Sequence, residues 1–247
     1  MRLTDIGERF LGDCRRILAD LDEAEASAGG AHAAPKGALA ITASAMFGRL
    51  HVAPIALDFL TQHPHVTMRG MFVDRVVHLM DEGFNVAVRI AHLPDSGLTA
   101  VRVGSMRAVV VASTAYLAGH GIPNSPAELT NFDAIGFSQT SGLVPPWSFK
   151  SARNGTQPRM RLVTNASEVA IDAAVRGQGL ARAMHYQVDA AVRAGRLQIV
   201  LADHEPEPIP VHLVHLVHQA GRMAPAKLRA FIDFAAKRLR AEPVLRP

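Results

Sequence analysis

The 247-residue chain has a single cysteine, Cys14, so no disulfide can form within it, which fits a reducing compartment. Aromatic residues are few, at 5%, and the core must be built from Ala, Val, Leu, Ile and Met. No apolar run is long enough to cross a bilayer. Residues 1–30 are charged and amphipathic, without the apolar run of a signal peptide. The chain is therefore expected to be cytoplasmic, with no membrane partner. A dense basic stripe is missing too, because the Lys and Arg excess is scattered, which argues against a nucleic-acid-binding surface. The charge is nevertheless uneven. Residues 1–35 hold four Lys/Arg against seven Asp/Glu, a balance of −3, and the remainder holds 22 against 15, a balance of +7. A mildly basic domain favours a small anionic ligand. With 49% hydrophobic and 19% charged residues, the chain is large enough for two domains or one large one.

The stretch Gly37–Leu50 organises the rest. Ala38, Leu39, Ala40 and Ile41 read as a buried strand, followed by Thr42, Ala43, Ser44 and Ala45 and then a helical pattern with Val52, Ile55, Ala56, Phe59 and Leu60 on one face. Small hydroxylated residues thus sit where a strand ends and a helix begins. The first amides of a helix have no partner inside it, and the dipole places positive potential there, so an anion can be held at such a turn. The simpler reading is that Thr42 or Ser44 is only a cap.

Upstream, Leu3, Ile6, Phe10, Cys14, Ile17, Leu21 and Ala24 recur at a mean spacing of about 3.5, which predicts one helix over residues 2–25 with a coiled-coil seam. Cys14 lies in that stripe and reads as packing. Residues 27–37, with paired glycines and Pro35, predict a linker. Strands and helices then alternate. The pattern predicts a helix over 49–61, a strand over 66–73, a short helix over 75–82, and strands over 86–90 and 98–103, with Gly104 and Ser105 interrupting. Beyond them it predicts strands over 108–112, 134–137, 147–149, 159–164, 180–183, 197–201 and 211–217. Helices are predicted over 115–119, 168–175 (capped by Ser167), 187–193 and 225–239. The alternation implies a mostly parallel sheet flanked by helices. The last strand and helix have no sheet of their own and are expected to return to the first unit. Two α/β lobes joined by two crossings follow, with a ligand cleft between them. The expected boundaries are a linker helix at 1–30 and a domain at 36–247, with lobe I over 36–104 plus 205–247 and lobe II over 105–204.

The order of motifs resembles the LysR-type transcriptional regulators. The match runs through Leu3-Thr4-Asp5-Ile6-Gly7, Gly37–Ile41, Glu82–Arg89, Ala112–Leu117, Gly177-Gln-Gly-Leu-Ala181 and Leu228–Phe234, in the family's order over nearly the whole chain. The resemblance implies an α/β, two-lobed, periplasmic-binding-protein-like (type 2) effector domain preceded by a linker helix. It also implies a homo-oligomer, dimer or tetramer. A ligand would change lobe or dimer geometry, and DNA would be contacted only through an N-terminal winged helix-turn-helix, which does not precede Leu3 here. Two departures stand out. Asn85 replaces the family's usual Asp, and His185 replaces a common proline beside the cleft. The second reading is a two-lobed solute-binding protein for a small organic anion.

Enzyme motifs do not assemble. Ser44 lies in Thr-Ala-Ser-Ala-Met, not in a Gly-x-Ser-x-Gly elbow. Gly177-x-Gly179 fails as a dinucleotide fingerprint because Arg182 takes the third glycine's place after a helix. His212, His215 and His218 alternate faces along a strand and cannot converge on one metal. No cofactor is expected. The candidate ligand-binding residues are those at strand ends: Thr42, Ser44 and Ala45; Val73 and Asp74; Arg89 and Ile90; and Asn165, Ala166 and Ser167. Capping alone would explain Asn165 and Ser167, and a surface salt bridge would explain Arg89. The ligand expected between the lobes is a small organic anion.

Overall fold

The computed structural model describes residues 34–93, 98–139, 143–150, 152–216 and 224–246, together with Thr4, Ile6, Gly7, Phe10 and Cys14. Most of the helix expected over 2–25 and of the linker after it lies outside the described residues. Ile6, Gly7, Phe10 and Cys14 are helical, and Ile6 and Phe10 are exposed.

Two five-stranded sheets divide the chain. In the first, β1 (Gly37–Ala43) pairs in parallel with β2 (Val66–Phe72) and β3 (Val86–Ile90). Strand β4 (Leu98–Met106) forms the far edge. The second sheet is built from β5 (Ala108–Ser113), β6 (Asp133–Phe137), β9 (Arg159–Thr164), β10 (Leu180–Met184) and β11 (Leu197–Val200). Between β6 and β9, strands β7 (Trp147–Phe149) and β8 (Ala152–Thr156) make a separate antiparallel pair. Strand β12 (Ile209–Leu216) returns to the first sheet and inserts between β3 and β4, antiparallel to both. The sheets are mixed rather than simply parallel, and for one reason. In each, four strands run one way, and the single reversed strand is the one that enters from a crossing, β5 in the second sheet and β12 in the first.

Helix α1 covers residues 45–62 in three pieces: Ala45–Phe47, a π-helical stretch Gly48–Val52, and Ala53–Gln62. The remaining helices are α2 (Thr114–His120), α3 (Ser167–Val175), α4 (His185–Arg193) and α5 (Ala226–Ala241). The lobe I core joins Leu39, Ile41, Phe47, Phe59, Val88, Leu213, Phe231 and Leu239, with the Phe59 and Phe231 rings edge to face at 5.3 Å. Lobe II buries both faces of its sheet. Along β5, Val110 and Ala112 join one cluster while Val109 and Val111 join the other, as an uninterrupted apolar run requires.

Two expectations are corrected. Residues 75–82 form bends and turns, not a helix. Val77, Leu79 and Phe84 are drawn into a small cluster with Ala40 and Ala87, and Glu82 folds back to accept from Arg75 and from the His78 amide. These tertiary contacts outweigh a weak propensity that paired valines already lower. The second correction is at Gly104 and Ser105, which continue β4 instead of ending it. The pairing with β12 skips a residue beside Gly104, and a Cβ there would stand 2.7 Å from both Leu245 Cβ and its carbonyl oxygen. Glycine is needed for this close approach, not for a break. Asn85 has a structural role. Its Oδ1 accepts from the Ala40 amide at 2.7 Å, and its own amide donates to the Ala40 carbonyl at 2.8 Å.

Candidate functional site: the cavity between the lobes

A cavity of about 430 Å³ lies between the lobes. Lobe I contributes Ser44, Asp74 and Ile90, and lobe II contributes Ile135, Trp147, Ser167, Arg182 and Tyr186 among others. A smaller recess of about 220 Å³ opens beside it, lined by Thr42, Val73, Arg89 and neighbours, and shares Ser44, Asp74, Ile90 and Gln139 with the first. Both recesses adjoin the carboxyl ends of lobe I strands, where open α/β sheets gather ligands.

The candidates fall into three groups. Ser44, Asp74, Ile90 and Ser167 line the main cavity. Thr42, Val73 and Arg89 line only the smaller recess. There Arg89 Nη2 donates to the Val77 carbonyl at 2.7 Å and steadies the 75–82 turn. Ala45, Asn165 and Ala166 line neither. The idea that the first amides of α1 face an anion is corrected at Ala45, whose N–H already donates to Asp74 Oδ1 at 2.9 Å. The positive end of the helix is thereby met by a carboxylate of the protein itself. Asn165 and Ala166 form the turn between β9 and α3, with the Ala166 amide donating to Thr164 Oγ1 at 3.1 Å. Ala166, not Ser167, stands at the cap position, so Ser167 is the first helical residue.

Ser44 occupies the N-cap position of α1, but its hydroxyl does not cap the helix. It meets the Tyr186 phenol instead. The pKa of that phenol is pushed up to about 12, chiefly by burial and with the nearby Asp74 charge adding to the rise, against hydrogen bonding with Ser44, Gln187 and the Phe47 backbone that pulls the other way. Tyr186 comes from α4 of lobe II yet packs into the lobe I core, edge to face with Phe47 at 5.3 Å. Arg49 on α1 and Glu168 on α3 form a further contact between the lobes at 2.7 Å. His185 does not line the cavity, and its amide donates to the Arg107 carbonyl at 2.9 Å.

Sequence reasoning missed Arg182, Trp147 and Tyr186. Arg182 sits on β10, and its Nη2 donates to Ser148 Oγ at 3.2 Å. Among the described residues no carboxylate pairs with it, and burial alone pulls its pKa below the usual arginine value. The available signal was an arginine amid the apolar Leu180, Ala181, Ala183 and Met184 of a central strand. A cation there must have a polar wall or a ligand to face.

A family model described as the LysR substrate binding domain matches residues 32–240. The HTH-type transcriptional regulator CrgA of Neisseria meningitidis serogroup C is 29% identical over 241 residues, covering 97% of this chain and 79% of that protein. The HTH-type transcriptional regulator PtxR of Pseudomonas aeruginosa is 29% identical over 247 residues, covering 98% and 77%. The solved regulatory domain of N. meningitidis CrgA superposes with a TM-score of 0.70 at 26% identity, covering 83% of this chain and 100% of that one. Full-length AphB of Vibrio cholerae, at 24% identity, shares the fold with a TM-score of 0.71 over 96% of this chain and 80% of its own. With its two lobes in the type 2 periplasmic-binding-protein-like arrangement, the chain belongs to the LysR substrate-binding-domain family and is the effector-binding domain of a LysR-type transcriptional regulator.

Proposed function

We propose that this domain, in the cytoplasm, senses a small organic anion in the cavity between its lobes. It then passes occupancy to DNA-binding domains by changing lobe and dimer geometry. The observation that carries this reading is Arg182, a half-buried cation without a carboxylate partner among the described residues, on the wall of a cavity that both lobes line. A ligand shifts a conformational equilibrium only by its differential affinity for the two states. A cavity whose walls belong to different lobes provides that difference, because its contacts change as the lobes move. Ile6 and Phe10, helical residues ahead of the domain with exposed apolar side chains, suit pairing with a second copy.

Ser44 is the proposed hydroxyl contact for the ligand, since it lines both recesses and does not serve as a cap. A hydrogen bond to a charged group contributes about 1.5–3 kcal/mol. Ser44→Ala should therefore weaken binding by roughly ten- to a hundredfold. Thr61→Ala, which removes a hydroxyl that donates to the Leu57 carbonyl on the far end of α1, should leave affinity unchanged. Calorimetric titration with a panel of carboxylates tests this. A best ligand that is a cation ends the anion reading, and equal affinity in Ser44→Ala removes Ser44 from the site.

A further inference from the structure

The cavity walls carry two opposite charges that do not meet. Arg182 belongs to β10, held between β5 and β6 in the middle of the lobe II sheet. Asp74 follows β2 in lobe I, and the Ala45 amide holds its Oδ1 at 2.9 Å. Both line the same cavity, yet they lie beyond the 4.0 Å of an ion pair, and among the described residues neither has an oppositely charged partner. The nearby cations are engaged elsewhere. Arg75 pairs with Glu82, and Arg89 donates to the Val77 carbonyl. Each charge stands on its own lobe, Arg182 donating to Ser148 Oγ and Asp74 accepting from the Ala45 amide, and the two do not pair.

A ligand that presents only a carboxylate satisfies Arg182 and leaves Asp74 sharing the cavity with a second negative charge and no donor of its own from the ligand. A ligand with an anion at one end and a hydrogen-bond donor at the other satisfies both. The rest of the cavity lining is mainly apolar and includes Ile90, Ile135, Ile171 and Trp147, which suits an uncharged body carrying two polar ends. We infer that the effector is bipolar: a small carboxylate carrying an amino or hydroxyl group at its opposite end, with Arg182 taking the carboxylate and Asp74 the donor. The inference rests on the anion-sensing reading above and adds the second end. It also assigns Asp74 the discriminating role. A bipolar ligand ties lobe I to lobe II, whereas a plain carboxylate engages lobe II alone.

The test is calorimetric titration of the full chain with matched pairs: para-aminobenzoate and para-hydroxybenzoate against benzoate, and ε-aminocaproate against caproate. The parent should prefer the donor-bearing member of at least one pair by about tenfold or more, the scale of one hydrogen bond to a charged group. Asp74→Asn keeps an oxygen for the Ala45 amide, so the fold should hold, and circular dichroism checks that it does. In this variant the preference should collapse to roughly threefold or less, with the plain carboxylate bound at least as well as before, because the charge is gone. Arg182→Gln should weaken both members of the pair alike, by about tenfold or more. Carboxylate binding without donor preference in the parent, or a preference that survives Asp74→Asn, overturns the bipolar inference and leaves the anion reading standing. Undiminished binding in Arg182→Gln overturns the assignment of the cation. Failure of every probe to bind the parent overturns the anion reading, and this inference with it.

Discussion

Gly48 opens the π-helical stretch of α1, and Gly48→Ala sets two effects against each other. Helix propensity favours alanine over glycine by about 1 kcal/mol in a helix interior. Packing opposes it. A Cβ at position 48 would lie 2.3 Å from Phe72 Cγ, 2.4 Å from its Cδ1 and 2.8 Å from its Cβ. The ring atoms can swing away by rotation about χ1, but the Phe72 Cβ moves only with the backbone of β2. That backbone is held in register against β1, with Phe72 opposite Ala43, and by the Val73 amide donating to the Ala43 carbonyl at 3.0 Å. Overpacking a filled site costs about 1–3 kcal/mol. Because the Phe72 Cβ cannot move alone, the upper part of that range, about 2–3 kcal/mol, applies; less the propensity gain, the net loss should be about 1–2 kcal/mol, a drop in Tm of roughly 2–8 °C for a domain of this size. Urea and thermal unfolding of the parent, Gly48→Ala, Phe72→Ala and the double variant give the cycle. The double variant should recover part of the loss, with a coupling of about 1 kcal/mol between the neighbours. A Gly48→Ala protein as stable as the parent, or more so, would show that β2 yields freely and would refute the reasoning.

Arg107 and Glu205 join the two crossings through a bidentate ion pair at 2.7 and 2.8 Å, with the Glu205 side chain only 14% exposed. Arg107→Ala should lower stability by about 1 kcal/mol in dilute buffer and by less in high salt, and an unchanged urea midpoint in both would count against the clasp. Tyr186, pushed up to about 12, keeps its proton in the folded chain at pH values where an unfolded chain loses it. Stability should therefore fall as pH rises from about 10, the unfolded value, to about 12; a tyrosinate absorbance titration that found Tyr186 ionising at the ordinary value would contradict its burial.

The apolar strands were legible because burial on two faces leaves a strong mark. Ala108–Ala112 reads as a buried strand and is one, and Leu228, Phe231, Ile232, Ala235 and Leu239 share the face that α5 turns to the core. The return of the last strand to the first sheet was legible from topology alone, since a lone strand and helix cannot bury themselves. Strand β8 was not legible. Its sequence, Ala-Arg-Asn-Gly-Thr, carries no apolar alternation, and it is a strand because β7 lends it a partner. The turns over 75–82 were misread for the opposite reason. There the local pattern suits a helix, and the pull of Val77 and Leu79 into a separate cluster is a tertiary fact that no window of sequence contains.

The site follows the same division. Ser44, Asp74, Ile90 and Ser167 could be named because strand ends and helix starts are local features, and chain order puts them at the rim of a cleft. Arg182 was seen, but only as a residue that spoils a glycine fingerprint. A charge inside an apolar strand is costly unless something meets it, so its presence signals an acceptor that the strand itself does not provide. The same logic applies to Asp74 from the other lobe. The sequence shows an Asp after a strand, whereas the structure shows a carboxylate bound to the amide at the start of α1 and not paired with Arg182. What sequence distance hides is that the two charges, more than 100 residues apart, line one cavity without pairing. That unsatisfied pairing marks the cleft more specifically than the helix terminus does, because the protein has already used the terminus for itself.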